Sequence, residues 1–144
     1  MAATTEEHGT KAMIRAIRVL DDGGNPVDGY TAGMALVIEV DWEAVNSEEP
    51  LHIGVAFERG DGTRLLGVTT FWDDIKAITA EGLHTTRLHI PSFPVAKGNY
   101  QVSAYLFDSA GLHVWDQVVV SDALKASSSD WAPAILELEH RWEL

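Results

Sequence analysis

The feature that most constrains this chain is an alternation of apolar and polar residues that recurs in one short segment after another. In residues 34–42, Leu36, Ile38 and Val40 share one side of an extended chain, and Glu39 points to the other side. A period of two residues is typical of β-strands that bury one face and leave the other in water. This segment therefore predicts a half-buried strand.

The same pattern recurs along most of the chain, with glycine-containing turn clusters between segments. The predicted strands are residues 12–20, 34–42, 51–58, 64–70, 84–90, 99–108, 113–121 and 135–142. About eight short strands separated by turns predict an all-β fold, an antiparallel jelly-roll or immunoglobulin-like β-sandwich. Residues 72–82 are the one segment compatible with a short helix, because Ile75 and Ile78 are three apart, and residues 122–130 are predicted to form a loop.

Length and composition favour a single domain. The chain has 144 residues and no cysteine, so disulfides and thiolate metal sites are excluded. We expect residues 1–11 to be a linker or tail and residues 12–144 to be the domain. The N-terminus lacks the apolar run of a secretory signal, and no stretch approaches the roughly 18 apolar residues of a membrane span. These features predict a cytoplasmic protein, unless the domain comes from a larger exported one.

Net charge narrows the choice of partner. Ten basic residues against 22 acidic residues give a formal charge of −12. A surface of that sign repels phosphate backbones and anionic lipid, so nucleic acid and bare membrane are unfavourable partners. A neutral ligand such as a sugar meets no such repulsion.

Motifs of catalysis and metal binding are missing from the sequence. It contains no phosphate-binding loop, no HExxH and no GxSxG, and its six histidines show no metal-ligand spacing. The sequence thus predicts no enzyme activity, no cofactor and no metal. The alternative is an enzyme acting on polysaccharide with Asp73, Asp74 or Glu58 as acid and base, although adjacent carboxylates do not normally flank one glycosidic bond.

The positive signal lies on the side of the strands opposite the predicted core, where small residues alternate with aromatic and hydrogen-bonding side chains. Aromatic rings and planar polar groups suit a sugar, which presents an apolar C–H face and a rim of hydroxyls. Tyr105 or Trp115 would support the ring, and Arg87 would bind an anionic substituent. The predicted site residues are His52, Trp72, Asp73, Arg87, Gln101, Tyr105, His113, Trp115 and Gln117. An ordinary wet sheet face has a similar composition, and Trp115 would join the core if strand parity shifts by one residue.

Several segments occur in an order that resembles a known family. They are residues 17–27 (IRVLDDGGNPV), 53–57 (IGVAF), 60–62 (GDG), 67–70 (GVTT), 88–91 (LHIP), 95–102 (VAKGNYQV), 106–108 (LFD) and the closing 140–142 (HRW). From about residue 12 to residue 142 the chain resembles the C-terminal domain of Wzt, the ATP-binding subunit of O-antigen polysaccharide ABC transporters.

This resemblance implies a jelly-roll-like domain that binds the non-reducing end of an O-polysaccharide and so licenses its export. It also implies a homodimer formed by exchange of the last strand, residues 135–142, and a place at the cytoplasmic face of the inner membrane beside nucleotide-binding and membrane subunits. The chain has no Walker motif, so it is either an excised domain or a stand-alone relative. An assembly module that pairs protein chains without binding glycan is the alternative.

Overall fold

The computed structural model describes residues 12–27, 29–45, 49–79, 81–95, 98–126, 136 and 138–144. Seven β-strands and no helix occur in these residues. The strands are β1 (Ala12–Leu20), β2 (Leu36–Ala44), β3 (His52–Arg59), β4 (Arg64–Thr69), β5 (Gly82–Ile90), β6 (Gly98–Phe107) and β7 (Val114–Ala126). No helix of the described residues is long and apolar enough to cross a membrane.

The strands form two sheets in which every neighbouring pair is antiparallel. The three-stranded sheet has the order β1-β2-β5, and the four-stranded sheet has the order β4-β3-β6-β7. Their apolar faces pack together with β1 lying near β7. The prediction of an antiparallel all-β sandwich is confirmed.

The core consists of the alternating apolar residues that the sequence pattern indicated. On β2, Leu36, Ile38 and Val40 are at most 1% exposed, and on β6 the side chains of Val102 and Leu106 are fully buried. Residues two apart along a strand share a face, so each central strand contributes one apolar row to the interior. This arrangement leaves the other row of each strand on an outer face of the sandwich.

A buried carboxylate links the two sheets. Asp116 of β7 is fully buried, and its Oδ2 atom accepts a hydrogen bond of 2.8 Å from the backbone N–H of Ile14. The ladder between β1 and β2 shifts register between Ile14 and Ala16, which is a β-bulge. Because a bulge disrupts the ladder, the carboxylate pairs a buried backbone donor that β1 presents there.

Three predicted elements differ from the structure. In residues 72–82 the described part holds turns and then extended chain, since Ile78 pairs with Leu51 through two backbone hydrogen bonds of 2.8 Å. Residues 122–126 continue β7 instead of forming a loop, while residues 127–130 lie outside the described residues. In the predicted last strand, Leu136 makes one isolated bridge to Val95, and residues 138–142 form no strand within this chain.

Candidate functional site

The outer face of the four-stranded sheet carries a groove of about 270 Å³. Three of the residues that line it are glycines, so backbone forms much of its surface. The lining residues are Gly54, Val55, Ala56, Arg64, Gly67, Val68, Thr69, Trp72, Tyr105, Phe107, Gly111 and Val114. We refer to this cavity as the groove.

Gly54 lets aromatic rings lie close to the sheet. A Cβ atom at this position would stand 2.9 Å from Cε2 of Phe107 and 3.0 Å from Cγ2 of Thr69. The ring of Phe107 therefore covers the backbone of β3, and the ring of Tyr105 stacks beside it with centroids 5.8 Å apart. Any larger residue at position 54 would push the ring of Phe107 away from the sheet.

Polar side chains form a connected network beside the rings. The hydroxyl of Tyr105 accepts hydrogen bonds from Nη2 of Arg64 at 2.8 Å and from Nε2 of Gln117 at 3.2 Å. Glu58 accepts from Nε2 of Gln101 at 2.8 Å and from Nη2 of Arg64 at 2.9 Å. The bond from Gln101, supported by Arg64, holds the pKa of Glu58 below its ordinary value, so this carboxylate is ionised at neutral pH.

Sequence reasoning missed Arg64, and a β-bulge explains why. The pairing of β3 with β4 shifts register between Phe57 and Glu58, which sets Arg64 opposite Glu58 on the outer face. Leu65, which simple alternation places outside, packs against the core instead. The signal available in the sequence was a pair of opposite charges flanking the Gly60–Gly62 turn, since such residues meet across a hairpin.

Trp72 lies on the loop that follows β4 and is 72% exposed. Its backbone N–H donates to Oγ1 of Thr69 at 3.0 Å. The neighbouring ring of Phe71 packs against Gly111, where a Cβ atom would stand 2.7 Å from Cγ of Phe71. This contact joins the Trp72 loop to the turn between β6 and β7.

His52 is buried and packs against the loop that carries Trp72. It is 4% exposed, its Nδ1 lies 2.8 Å from Oγ1 of Thr70, and its ring meets Phe71 edge-on at 5.3 Å. Burial lowers the pKa of His52, which favours the neutral ring. The structure thus places this predicted sugar contact beneath the loop instead of in the groove.

Trp115 and His113 also lie elsewhere than predicted. The pairing of β6 with β7 shifts register between Leu106 and Phe107, so Val114 stands opposite Phe107 and lines the groove. Trp115 packs against the hydrophobic core, and His113 contacts its ring edge-on at 4.6 Å. Because this β-bulge reverses strand parity, Trp115 does not line the groove, and its position does not favour the predicted role as a ligand platform.

Arg87 belongs to the other sheet. It lies on β5, where its Nε donates to Oε2 of Glu39 at 2.7 Å, and Glu39 also accepts from Nε of Arg18 at 2.7 Å. The expectation that Arg87 and Tyr105 share one pocket is therefore wrong, because sheet membership cannot be deduced from alternation. Asp73 is likewise absent from the groove lining and borders, with Arg87, a separate cleft between the sheets.

The carboxylates of the enzyme alternative are spread over different environments. Asp74 adopts a φ of 58° in the turn after β4, and Asp73 donates its backbone N–H to Thr69. The lowered pKa of Glu58 is the reverse of what a general acid needs. Within the described residues, no group of three or more histidines and carboxylates could hold a metal ion.

Four of the nine predicted residues, Trp72, Gln101, Tyr105 and Gln117, thus come together in or beside the groove.

The family model for the Wzt C-terminal domain matches residues 4–124. The chain belongs to this family. No curated protein matches the chain.

A solved structure shows the same fold. The crystal structure of the C-terminal domain of Wzt aligns with a TM-score of 0.79 and 12% identity, covering 93% of this chain and 84% of that one. The CARDB domain of the PF1109 protein from Pyrococcus furiosus, in complex with di-metal ions, aligns at 0.45 and 9% identity, over 85% of this chain and 97% of that one. The Pseudomonas fluorescens alkylpurine DNA glycosylase AlkC aligns at 0.36 and 11%, over 81% and 31%. Of these three structures, the Wzt domain is the one similar enough to support an argument about the fold.

Proposed function

We propose that this domain is a non-catalytic carbohydrate-binding module that recognises the non-reducing end of an O-antigen polysaccharide and thereby licenses its export. The groove is the observation that carries the proposal: a glycine-rich surface bordered by Trp72 and Tyr105, with amide and guanidinium groups beside it. Membership of the Wzt C-terminal domain family supplies the class of polymer.

The groove has the chemistry that a sugar ring requires. The exposed ring of Trp72 can cover the apolar C–H face of a pyranose. The glycines of the groove let the sugar ring approach the sheet. Arg64, Gln117 and the hydroxyl of Tyr105 lie together where the hydroxyl rim would be. Water competes for each of these bonds, so a single groove should bind weakly.

The cellular place of the domain follows from the same proposal. As part of an O-antigen ABC transporter, it would work at the cytoplasmic face of the inner membrane beside the nucleotide-binding and membrane subunits. Residues 1–11 would be the linker or tail and residues 12–144 the binding domain. No cofactor or metal is needed for recognition of this kind.

Homodimerisation through the C-terminal segment is the second component. Leu138, Trp142 and Leu144 are 60%, 82% and 113% exposed in the described chain, an unusual number of uncovered apolar side chains in one short segment. A second copy that accepts this segment as a strand would cover them, and two grooves per particle would add avidity. The same exposed residues favour the alternative function, an assembly module that binds no glycan.

Deleting residues 134–144 and measuring molar mass by light scattering tests the dimer. We expect a monomer that keeps single-site glycan affinity and loses avidity on a polysaccharide surface. A deleted protein that stays dimeric would contradict strand exchange. A protein that dimerises but never binds glycan would establish the assembly module instead.

Calorimetric titration with the O-polysaccharide of the source strain, intact and with its non-reducing terminal residue removed, tests recognition itself. The proposal predicts saturable binding of the intact polymer and at least a 10-fold loss on trimming, corresponding to about 1.4 kcal/mol of terminal contacts. Equal binding of both polymers, or binding of neither, would refute it.

A further inference from the structure

The sandwich is open along one side, between the edge strands β5 and β4. The inward-facing residues of these strands, among them Leu88 and Val68, are only half-buried, whereas Val40 and Val55 on the central strands are buried. A narrow cleft of about 80 Å³ enters between the sheets here. Its apolar lining is Ile38, Val40, Ile53, Val55, Val68 and Leu88, and its polar lining is Thr69, Thr70, Asp73, Thr86 and Arg87, with Gly54 beside them. We refer to it as the inter-sheet cleft.

The inter-sheet cleft adjoins the groove across β4. Gly54 and Thr69 line both cavities, and the consecutive residues Trp72 and Asp73 line the groove and the cleft respectively. A sugar that stacks on Trp72 would therefore direct a substituent on its β4 side towards the mouth of the cleft. The two cavities together can accommodate a ring and a small group attached to it.

Volume and lining determine which group fits. The cleft has about half the roughly 150 Å³ of an apolar cavity that accepts benzene, so it suits a group of about two to four non-hydrogen atoms. Its buried end, formed by residues such as Ile38 and Val40, is apolar and favours a methyl group. A charged or strongly hydrated substituent would lose its water against these apolar side chains.

Thr86 adds one hydrogen-bond donor to this apolar cleft. Its Oγ1 accepts the indole N–H of Trp42 at 3.0 Å. A hydroxyl that accepts in this way still carries a proton that it can donate to an acceptor in the cleft. A group with a methyl end and a carbonyl oxygen, which is a short acyl group, uses both features.

We propose that the inter-sheet cleft is a subsite for a short acyl group, of about the size of acetyl, carried by the sugar that occupies the groove. The acyl methyl would contact Leu88 and Val40, and the carbonyl oxygen would accept a hydrogen bond from Thr86. Binding is non-covalent, so no bond is made or broken. The proposal rests on the glycan-binding function and specifies the substituent that this function would select.

Small probes test the cleft without any glycan. Methyl acetate and xenon, titrated separately into protein with labelled Ile, Leu and Val methyl groups, should shift the methyl resonances of the cleft lining saturably and leave Leu124 unchanged. Thr86→Val should weaken methyl acetate binding about 5-fold, the usual effect of one hydrogen bond, and leave xenon binding unchanged. If neither probe causes saturable shifts, the proposal is overturned. It is also overturned if Thr86→Val weakens the binding of methyl acetate and of xenon equally.

Leu88→Phe offers a steric test with a matched control. The larger ring should fill the cleft and abolish both probe responses. Ile90→Phe changes the same face of β5 two residues away, at a position that does not line the cleft, and should retain both responses. Thermal unfolding of each variant shows that it is folded. Loss of both responses in folded Ile90→Phe as well as in folded Leu88→Phe would count against the cleft.

The O-polysaccharide of the source strain, native and after mild alkaline removal of ester-linked acyl groups, then links the cleft to the function. Wild-type protein should bind the deacylated form about 10-fold more weakly, from the lost methyl burial and one hydrogen bond. Folded Leu88→Phe should bind both forms with equal, weak affinity.

The outcomes separate the two proposals. Equal wild-type binding of both forms, or a native polymer without an acyl group on its terminal sugar, would overturn the acyl subsite and leave glycan binding intact. Binding of neither form would refute the glycan-binding function, while the methyl acetate titration would still decide whether the cleft accepts an acyl group.

Discussion

On the outer face of the three-stranded sheet, long charged side chains from neighbouring strands pair with one another. Arg18 donates to Glu39 and Asp41, Arg87 donates to Glu39, and Arg15 forms an ion pair with Glu43. The four-stranded sheet carries a different outer face, with glycines at its surface and aromatic rings and amides beside them. Ion pairs join the strands of the first face, and glycines and aromatic rings line the groove on the second.

The two faces differ in the size of their cross-strand neighbours more than in their polarity. Both faces arise from the same two-residue alternation, and both are rich in hydrogen-bonding groups. On the three-stranded sheet, Arg18 and Glu39 are directly opposite in the ladder, and Nε of Arg18 donates a hydrogen bond of 2.7 Å to Glu39. On the four-stranded sheet, Gly67 is directly opposite Ala56, and the space above this pair is open.

The largest expected effect separates two tryptophans of the four-stranded half. Trp115 packs against the core, so Trp115→Ala should lower the free energy of unfolding by about 2–4 kcal/mol, near the lower end for buried aromatic truncations. Trp72 is 72% exposed, so Trp72→Ala should change stability by less than about 0.5 kcal/mol and should abolish glycan binding. Urea unfolding and calorimetry measure the two effects. A stable Trp115→Ala variant that fails to bind would restore Trp115 as the ligand platform.

A smaller effect compares two glycines of the groove. At Gly54 an added Cβ would lie 2.9 Å from Phe107 and 3.2 Å from the carbonyl oxygen of Val68, whereas at Gly67 its nearest neighbour is Cδ of Arg64 at 3.6 Å. Gly54→Ala should therefore lower the unfolding free energy by about 1–2 kcal/mol, since overpacking displaces neighbours. Gly67→Ala should leave it nearly unchanged. Equal destabilisation by both substitutions in urea unfolding would show that close ring approach at Gly54 is not required.

The smallest effect concerns pH and the outer face of the three-stranded sheet, which carries Arg15, Arg18, Glu39, Asp41, Glu43 and Arg87 and which we call the charged face. The guanidinium of Arg18 holds the pKa values of Glu39 and Asp41 below their ordinary range. Lowered folded-state pKa values stabilise the protein above the unfolded-state values near 4, and this contribution disappears as the pH falls through the lowered values. Arg18→Gln should thus reduce stability slightly at pH 7 and not at roughly pH 2, where both carboxyls are protonated.

Urea unfolding at both pH values, in low and high salt, measures this difference. High salt should shrink the effect at pH 7 because exposed ion pairs are screened. A destabilisation that persists at low pH would assign the role of Arg18 to packing of its aliphatic stem. The charged face would then resemble the outer face of the four-stranded sheet in being stabilised by packing more than by its ion pairs.

Alternation predicted the sandwich and most of its core, because burial of one strand face has the same two-residue period wherever strands are regular. It failed where the ladder is irregular. The bulge opposite Leu106 and Phe107 turned Trp115 towards the core, and the bulge at Glu58 brought Arg64 to the outer face. Alternation also gives no information on which sheet a strand joins, so it groups Arg87 with Tyr105 although they lie on different sheets.

Mapping of amide and tryptophan indole resonances during titration with end-bearing fragments of the source strain's O-polysaccharide tests the central claim most directly. Recognition on the four-stranded sheet predicts saturable shifts at Gly54, Gly67, Tyr105 and the Trp72 indole, with residues 15, 18 and 43 of the charged face unchanged. Arg18→Gln, which changes neither the groove nor the inter-sheet cleft, should bind normally in the same titration. Shifts confined to the charged face, or no saturable shift on either face, would contradict the account.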